Sequence, residues 1–157
     1  MKKNSIVILD FGSQYDQLIA RRVREMGVYA EVVPYFEDLE KIKEREPSGI
    51  ILSGGPASVY LDDAPTIDKE IYELGIPVLG ICYGMQLTMH LLGGKVAKAD
   101  KQEFGKAELL IDDKKNPFFD CVPDKSQVWM SHGDHVTEIA KGFEQIAHTD
   151  SSIATVC

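Results

Sequence analysis

One stretch of the sequence has the residue types and the spacing for nucleophilic chemistry, Gly80-Ile81-Cys82-Tyr83-Gly84. An apolar run at 77–81 leads into it and a helix-forming stretch leads out, so Cys82 is expected at an abrupt strand-to-helix turn. Glycines two positions before and two after relieve the clashes of such a turn. They let a strained residue project its side chain from the sheet edge, as in the G-x-S-x-G elbow with cysteine in place of serine. A helix N-terminus favours negative charge and is expected to lower the thiol from about 8.5 into the range ~3.5–7.5. The same turn offers the backbone N–H of Tyr83 to an oxyanion. A second donor is expected from Gly54-Gly55-Pro56, where missing side chains allow close backbone approach to a carbonyl. Each well-aimed donor contributes ~2.7–4 kcal/mol of transition-state stabilisation. The pattern by itself leaves a second reading open, that Cys82 is a small buried hydrophobe, the common fate of a free cysteine. Cys121, next to Val122 and Pro123, reads as structural, and Cys157 carries no pattern.

The elements that must position this turn are legible from hydrophobic patterning. Apolar runs at 6–9, 29–33, 49–52 and 77–81 are mostly continuous rather than alternating, which is the mark of strands covered on both faces. Leu18, Ile19, Val23 and Met26 repeat at helical spacing before Gly27, a C-terminal stop. Further helices are expected over 37–45, after Pro65 with Ile67, Ile71 and Leu74 on one face, and over 84–92 before Gly93-Gly94. Strand and helix in alternation predict an α/β fold, a doubly wound, mostly parallel, flavodoxin-like sheet with helices on both faces. Ligands in such sheets sit beyond the carboxyl ends of the strands, which here means residues 10–14, 53–56 and 82–84. From Lys95 onward short β-like pieces at 107–111 and 127–130, with a strand at 153–156, are expected to add antiparallel strands to the same sheet.

Length and composition set the frame. The 157 residues suit a single domain, and 44% hydrophobic against 27% charged residues is the balance of a globular chain with a packed core. A net charge of −8 lacks the basic footprint that phosphate backbones require, so nucleic acid and anionic membranes are excluded as expected partners. Three cysteines without short spacing fit a reducing, cytoplasmic setting. After Lys2 and Lys3 the run at 6–9 stops at Asp10, too short for the ~7–15-residue core of a signal peptide. Arg21, Arg22 and Arg24 read as a solvated helix face.

Four motifs in order carry a resemblance: Asp10-Phe11-Gly12-Ser13-Gln14, Ser53-Gly54-Gly55-Pro56, the Cys82 elbow with Gln86, and Trp129-Met130-Ser131-His132-Gly133-Asp134. Together they resemble the class I glutamine amidotransferase family over essentially the whole chain, in its GMP synthase branch. The resemblance implies a glutaminase in which the Cys82 thiolate attacks the side-chain amide of glutamine. In that scheme Gly55 and Tyr83 hold the oxyanion through backbone N–H groups, and Gln86, Gly133 and Asp134 hold the amino-acid end of the substrate. It implies no metal and no cofactor for this step. It also implies a synthetase domain or subunit as partner, using ATP and Mg2+ to aminate XMP to GMP, and a homodimer of the full-length protein. The synthetase pyrophosphate loop Ser-Gly-Gly-Val-Asp-Ser does not occur here, because Ser53-Gly54-Gly55 continues into Pro56.

The sequence departs from the family in one respect. Members complete a triad with His and Glu one residue apart, and this chain has no His-x-Glu. His90 lies eight residues along the helix from Cys82, more than ~10 Å, and reads as a packing residue. His132 matches a motif position that is not the base, and His135 and His148 read as surface residues. The expectation is therefore one amidotransferase domain over 1–157 whose C-terminal part, with the acid–base pair, is missing, and whose turnover is impaired. The alternative is a non-catalytic module of the same fold that serves a synthetase.

Overall fold

The computed structural model describes residues 4–156, so Lys2, Lys3 and Cys157 lie outside the described residues. The chain divides into two compact units, one ending at Thr88 and the other starting at Met89.

The first unit is built on a parallel sheet in the order β2-β1-β3-β4. Its strands are β1 (Ser5–Asp10), β2 (Tyr29–Pro34), β3 (Gly49–Leu52) and β4 (Val78–Gly80). In register, Ile8 stands beside Val32 on one side and Ile51 on the other. One face buries Ile8, Ala30 and Ile51 against Ala20, Ile19 and Val23 of α1 (Asp16–Glu25). The alternating residues Val7, Leu9, Val33, Ile50 and Leu52 are buried as well, which accounts for the unbroken apolar runs of β1 and β3, whereas β4 lies at the sheet edge and leaves Leu79 exposed rather than covered. Each such side chain contributes ~1.5–3 kcal/mol on burial.

Helix α1 stops where expected, with Gly27 at φ +78° and its N–H donating to the Arg24 carbonyl at 2.9 Å. Its core face is narrower than the periodicity predicts, because Leu18 and Met26 are exposed while Ala20 is buried. Arg21 and Arg22 pair with Glu25 in solvent, and Arg24 donates to the Ala30 carbonyl at the start of β2. Helix α2 (Leu39–Glu44) is capped by Asp38, which accepts from the Glu40 N–H at 2.9 Å, and it buries Ile42. The helix expected after Pro65 is only a 3-10 turn, Lys69–Glu73, with Ile71 as its buried residue. Leu74 caps it, and Gly75 at φ +69° then leaves the helical conformation. Helix α3 (Tyr83–Leu91) begins at the elbow.

The second unit has its own antiparallel sheet, ordered β6-β5-β7-β8, rather than strands added to the parallel one. Its strands are β5 (Lys95–Ile111), β6 (Lys125–Glu138), β7 (Gln145–His148) and β8 (Ile153–Val156). Strands β5 and β6 run far beyond the short pieces expected, because they pair with each other along almost their whole length, with an irregularity between Lys98 and Glu103. Phe104 and Gly105 lie within β5, not in a turn. Ile111, Phe119, Ile146 and Ala147 form one buried cluster of this unit, and Val136 and Ala140 are buried as well. No helix among the described residues is long and apolar enough to cross a membrane.

Candidate active site

Cys82 has φ +50°, a left-handed conformation that costs a side-chain-bearing residue of order 1–3 kcal/mol. The glycines around it are obligatory. A Cβ on Gly80 would stand 2.6 Å from Gly84 C and from Met85 N, and a Cβ on Gly84 would stand 2.2 Å from the Leu52 carbonyl oxygen. The turn is held by Ile81 N–H on Leu52 O at 2.9 Å and Gly84 N–H on Ser53 O at 3.1 Å. Strand β3 therefore fixes the elbow through its last carbonyls. The Tyr83 N–H lies in the first turn of α3, where a helix has no acceptor of its own. Tyr83 itself is buried and donates its hydroxyl to the Pro65 carbonyl at 2.5 Å.

The segment after β3 lies beside this cysteine. A Cβ on Gly54 would be 3.5 Å from Cys82 Cβ and 3.8 Å from Ser13 Oγ, while one on Gly55 would be 2.5 Å from the Phe11 carbonyl oxygen. Only glycine fits position 55. Ser53 ties the loops after β1 and β3 together, its Oγ accepting from the Phe11 N–H at 3.2 Å and donating to the Gly54 carbonyl at 3.1 Å. Phe11 stacks on Tyr35 and tilts against Tyr83, with centroids 5.5 and 5.4 Å apart. Within the first unit the fold thus brings together Gly55, Cys82, Tyr83 and, one helical turn on, Gln86. The Gln86 N–H donates to the Cys82 carbonyl at 3.0 Å and its side chain is buried.

The electrostatics correct one expectation. Cys82 is exposed as a residue, yet its surroundings desolvate the thiolate enough for burial to push the thiol up, opposite to the lowering expected from the helix N-terminus. Burial, with the Tyr35 hydroxyl adding to it, raises Tyr83 to about 12. The carboxyl of Asp16, the first residue of α1, is pushed up to about 6, chiefly by burial and next by Asp10, against which the Ser53 and Ser13 hydroxyls pull in the other direction. Asp10 is held below its ordinary value by Asp16 and by the Gly12 N–H, which donates to its Oδ1 at 2.6 Å.

Gly133 and Asp134 belong to β6 of the second unit, where Asp134 stands opposite Lys98. His90 is exposed on α3 rather than packed. His135 is half-buried in β6 opposite Ala97, with no partner for its Nδ1 among the described residues, and is not a solvated loop residue. His148 is half-buried in β7 and its Nδ1 lies 2.8 Å from Asp112 Oδ1, so it is more than surface. Cys121, read as structural, is exposed at φ +67° in a turn rather than packed. No group of three or more histidine, cysteine or acidic side chains among the described residues is placed to hold a metal ion. The residue that sequence reading missed is Asp16, 4% exposed and next to the site's loops. Its signal, an acidic residue opening a helix, is that of any solvated first turn.

Comparison with known proteins gives a consistent result. The family model described as glutamine amidotransferase class-I matches residues 7–157. A GMP synthase [glutamine-hydrolyzing] of Fusobacterium nucleatum is 69% identical over 156 residues, covering 99% of this chain and 30% of that protein. The protein of the same description from Nitratiruptor sp. is 61% identical over 155 residues, with 97% and 30% covered. The chain thus spans about 30% of the length of these curated relatives. A crystal structure of a glutamine amidotransferase from Thermotoga maritima superposes with TM-score 0.77 over 97% of this chain and 70% of its own, at 20% identity, and so supports the fold alone.

Proposed function

The chain belongs to the class I glutamine amidotransferase family, and from that membership we propose that it is the glutaminase part of a cytoplasmic GMP synthase, acting through Cys82. The observation that carries the reading is the left-handed Cys82 between two glycines that admit no side chain, with the backbone of Gly54-Gly55 packed beside it.

In the proposed half-reaction the Cys82 sulfur forms a bond to the side-chain amide carbon of glutamine, and the carbonyl electron pair moves onto oxygen. The backbone N–H groups of Gly55 and Tyr83 receive that oxyanion. Collapse breaks the C–N bond, the nitrogen leaves with an added proton as ammonia, and a γ-glutamyl thioester remains. Water then hydrolyses the thioester to glutamate and returns the thiol. Gln86 suits the amino-acid end of the substrate because an amide both donates and accepts hydrogen bonds. Protonating ammonia and activating water call for a general acid–base, typically ~10²–10⁴-fold in rate. The sequence has no His-x-Glu, and the acid–base role is assigned outside these 157 residues, which alone turn over glutamine poorly. The partner is a synthetase portion that binds ATP and Mg2+ and uses the ammonia to aminate XMP.

The missing His-x-Glu favours the alternative, a non-catalytic module of the same fold, and the desolvated Cys82 thiol points the same way. A chloroketone analogue of glutamine separates the two readings. Alkylation confined to Cys82, slowed by glutamine and lost in Cys82→Ala, is the expected result. Equal labelling of Cys82→Ala, or no protection by glutamine, refutes the glutaminase reading.

A further inference from the structure

Beside the Gly54-Gly55 loop the fold holds two carboxyl groups that the proposed reaction does not use, the buried Asp16 and the half-buried Asp10. Asp16 is 4% exposed, and neither of its oxygens has a hydrogen-bond partner at full geometry among the described residues. An unsatisfied buried carboxylate is costly, because burial removes its water without supplying a replacement donor. The charged group facing it is Asp10 at the end of β1, and the hydroxyls facing it are Ser13 in the following loop and Ser53 at the end of β3. These are the residues that set the oxyanion loop. The Ser53 hydroxyl binds the Phe11 N–H and the Gly54 carbonyl, the Ser53 carbonyl binds the Gly84 N–H, and Ser13 Oγ lies 3.8 Å from the Cβ position of Gly54. The same Cβ position of Gly54 lies 3.5 Å from Cys82 Cβ.

We propose that Asp16 is a positioning residue of the glutaminase centre, which with Asp10 forms a carboxyl pair that braces the Gly54-Gly55 loop only while the two groups share one proton. With the proton present, Asp16 donates to Asp10, and the pair carries a single charge that the Gly12 N–H stabilises. Without it, two like charges face each other in a buried place and push the loop after β1 away from Ser53. The oxyanion donors then lose their alignment with Cys82. This inference rests on the glutaminase reading of Cys82.

The test compares two reagents on the full chain from pH 5 to 8. Iodoacetamide reports the availability of the Cys82 thiolate alone. The glutamine chloroketone also requires a carbonyl oxygen to settle in the oxyanion loop, so the ratio of the two rates cancels thiol ionisation. The expected result is a fall in that ratio with rising pH, centred near 6 and at least about threefold, within the ~10²-fold that a 1 Å misplacement costs. In Asp16→Asn the amide donates to Asp10 at every pH, and the ratio is flat. Asp10→Asn removes the same like-charge contact and gives a second flat profile should Asp16→Asn fail to fold. A flat ratio in the unmodified chain, or a step that persists in a folded variant, overturns the proposal. Iodoacetamide labelling of Cys82 without chloroketone labelling refutes the glutaminase reading instead, and this inference falls with it.

Discussion

Replacing Gly84 by alanine adds one methyl group at the tightest point of the elbow. Its Cβ would stand 2.2 Å from the Leu52 carbonyl oxygen and 2.7 Å from Leu52 C and Cβ. Two of these three atoms are backbone in a buried central strand, so no flexible side chain can yield, and either β3 or the start of α3 must shift. Overpacking of this kind costs ~1–3 kcal/mol and occasionally more, and backbone atoms on the receiving side favour the upper end of that range. For a chain of this size, ~3 kcal/mol lowers the melting temperature by roughly 6–12 °C. Gly75→Ala is the matched control. A Cβ there meets nothing within 4 Å, and only its φ of +69° is penalised, at about 1 kcal/mol. Thermal unfolding of both variants, with iodoacetamide labelling of Cys82 below the transition, measures the difference. The shift in Gly84→Ala also strains the Gly84 N–H bond to Ser53 O at 3.1 Å, so Cys82 labelling should change there and not in Gly75→Ala. Equal melting temperatures for the two variants would refute the steric account of the elbow.

Further predictions follow from the same geometry. Cys82→Gly removes a left-handed residue that carries a Cβ, and is expected to raise stability by about 1 kcal/mol in urea unfolding while abolishing chloroketone labelling. Asp16 holds its proton up to about pH 6 in the folded state against 3.8 ordinarily, so its contribution is fully present below 3.8 and lost as pH rises through 6. The loss amounts to at most ~3 kcal/mol, partly offset by the lowered Asp10. Asp16→Asn should therefore flatten the decline of melting temperature between pH 4 and 7 and be the more stable protein at pH 7. In the second unit, Phe119→Ala empties a site against Ile111, Ile146 and Ala147 and should cost ~3–5 kcal/mol, whereas the exposed neighbour Phe118→Ala should cost less than about 1 kcal/mol.

The elbow could be read from sequence because its constraint is local, a cysteine with glycine at fixed offsets between an apolar run and a helix. The central strands were equally legible, since a strand buried on both faces writes an unbroken apolar run such as Ile50-Ile51-Leu52. The turn at Lys69–Glu73 was misread as a helix because Ile67, Ile71 and Leu74 have helical spacing, while only Ile71 finds a core. The extent of β5 and β6 was hidden by their exposed face, where Lys106 and Glu108 face Trp129 and Gln127 and give no apolar alternation. Asp16 could not be found at all. Its burial depends on Asp10 and Ser53, which only the fold brings beside it.

The sheet order β2-β1-β3-β4 also fixes a temporal sequence during synthesis. Strand β1 leaves the ribosome first and lies inside the sheet, with β2 and then β3 adding to its two sides and β4 last, against β3. Each strand therefore finds its template already made, which suits vectorial folding from the N-terminus. The left-handed turn at Cys82 can be imposed only after the Leu52 and Ser53 carbonyls are fixed and α3 has followed. The reactive thiol is thus among the last features of the first unit to take shape, and a nascent chain carries the sheet before it carries the chemistry.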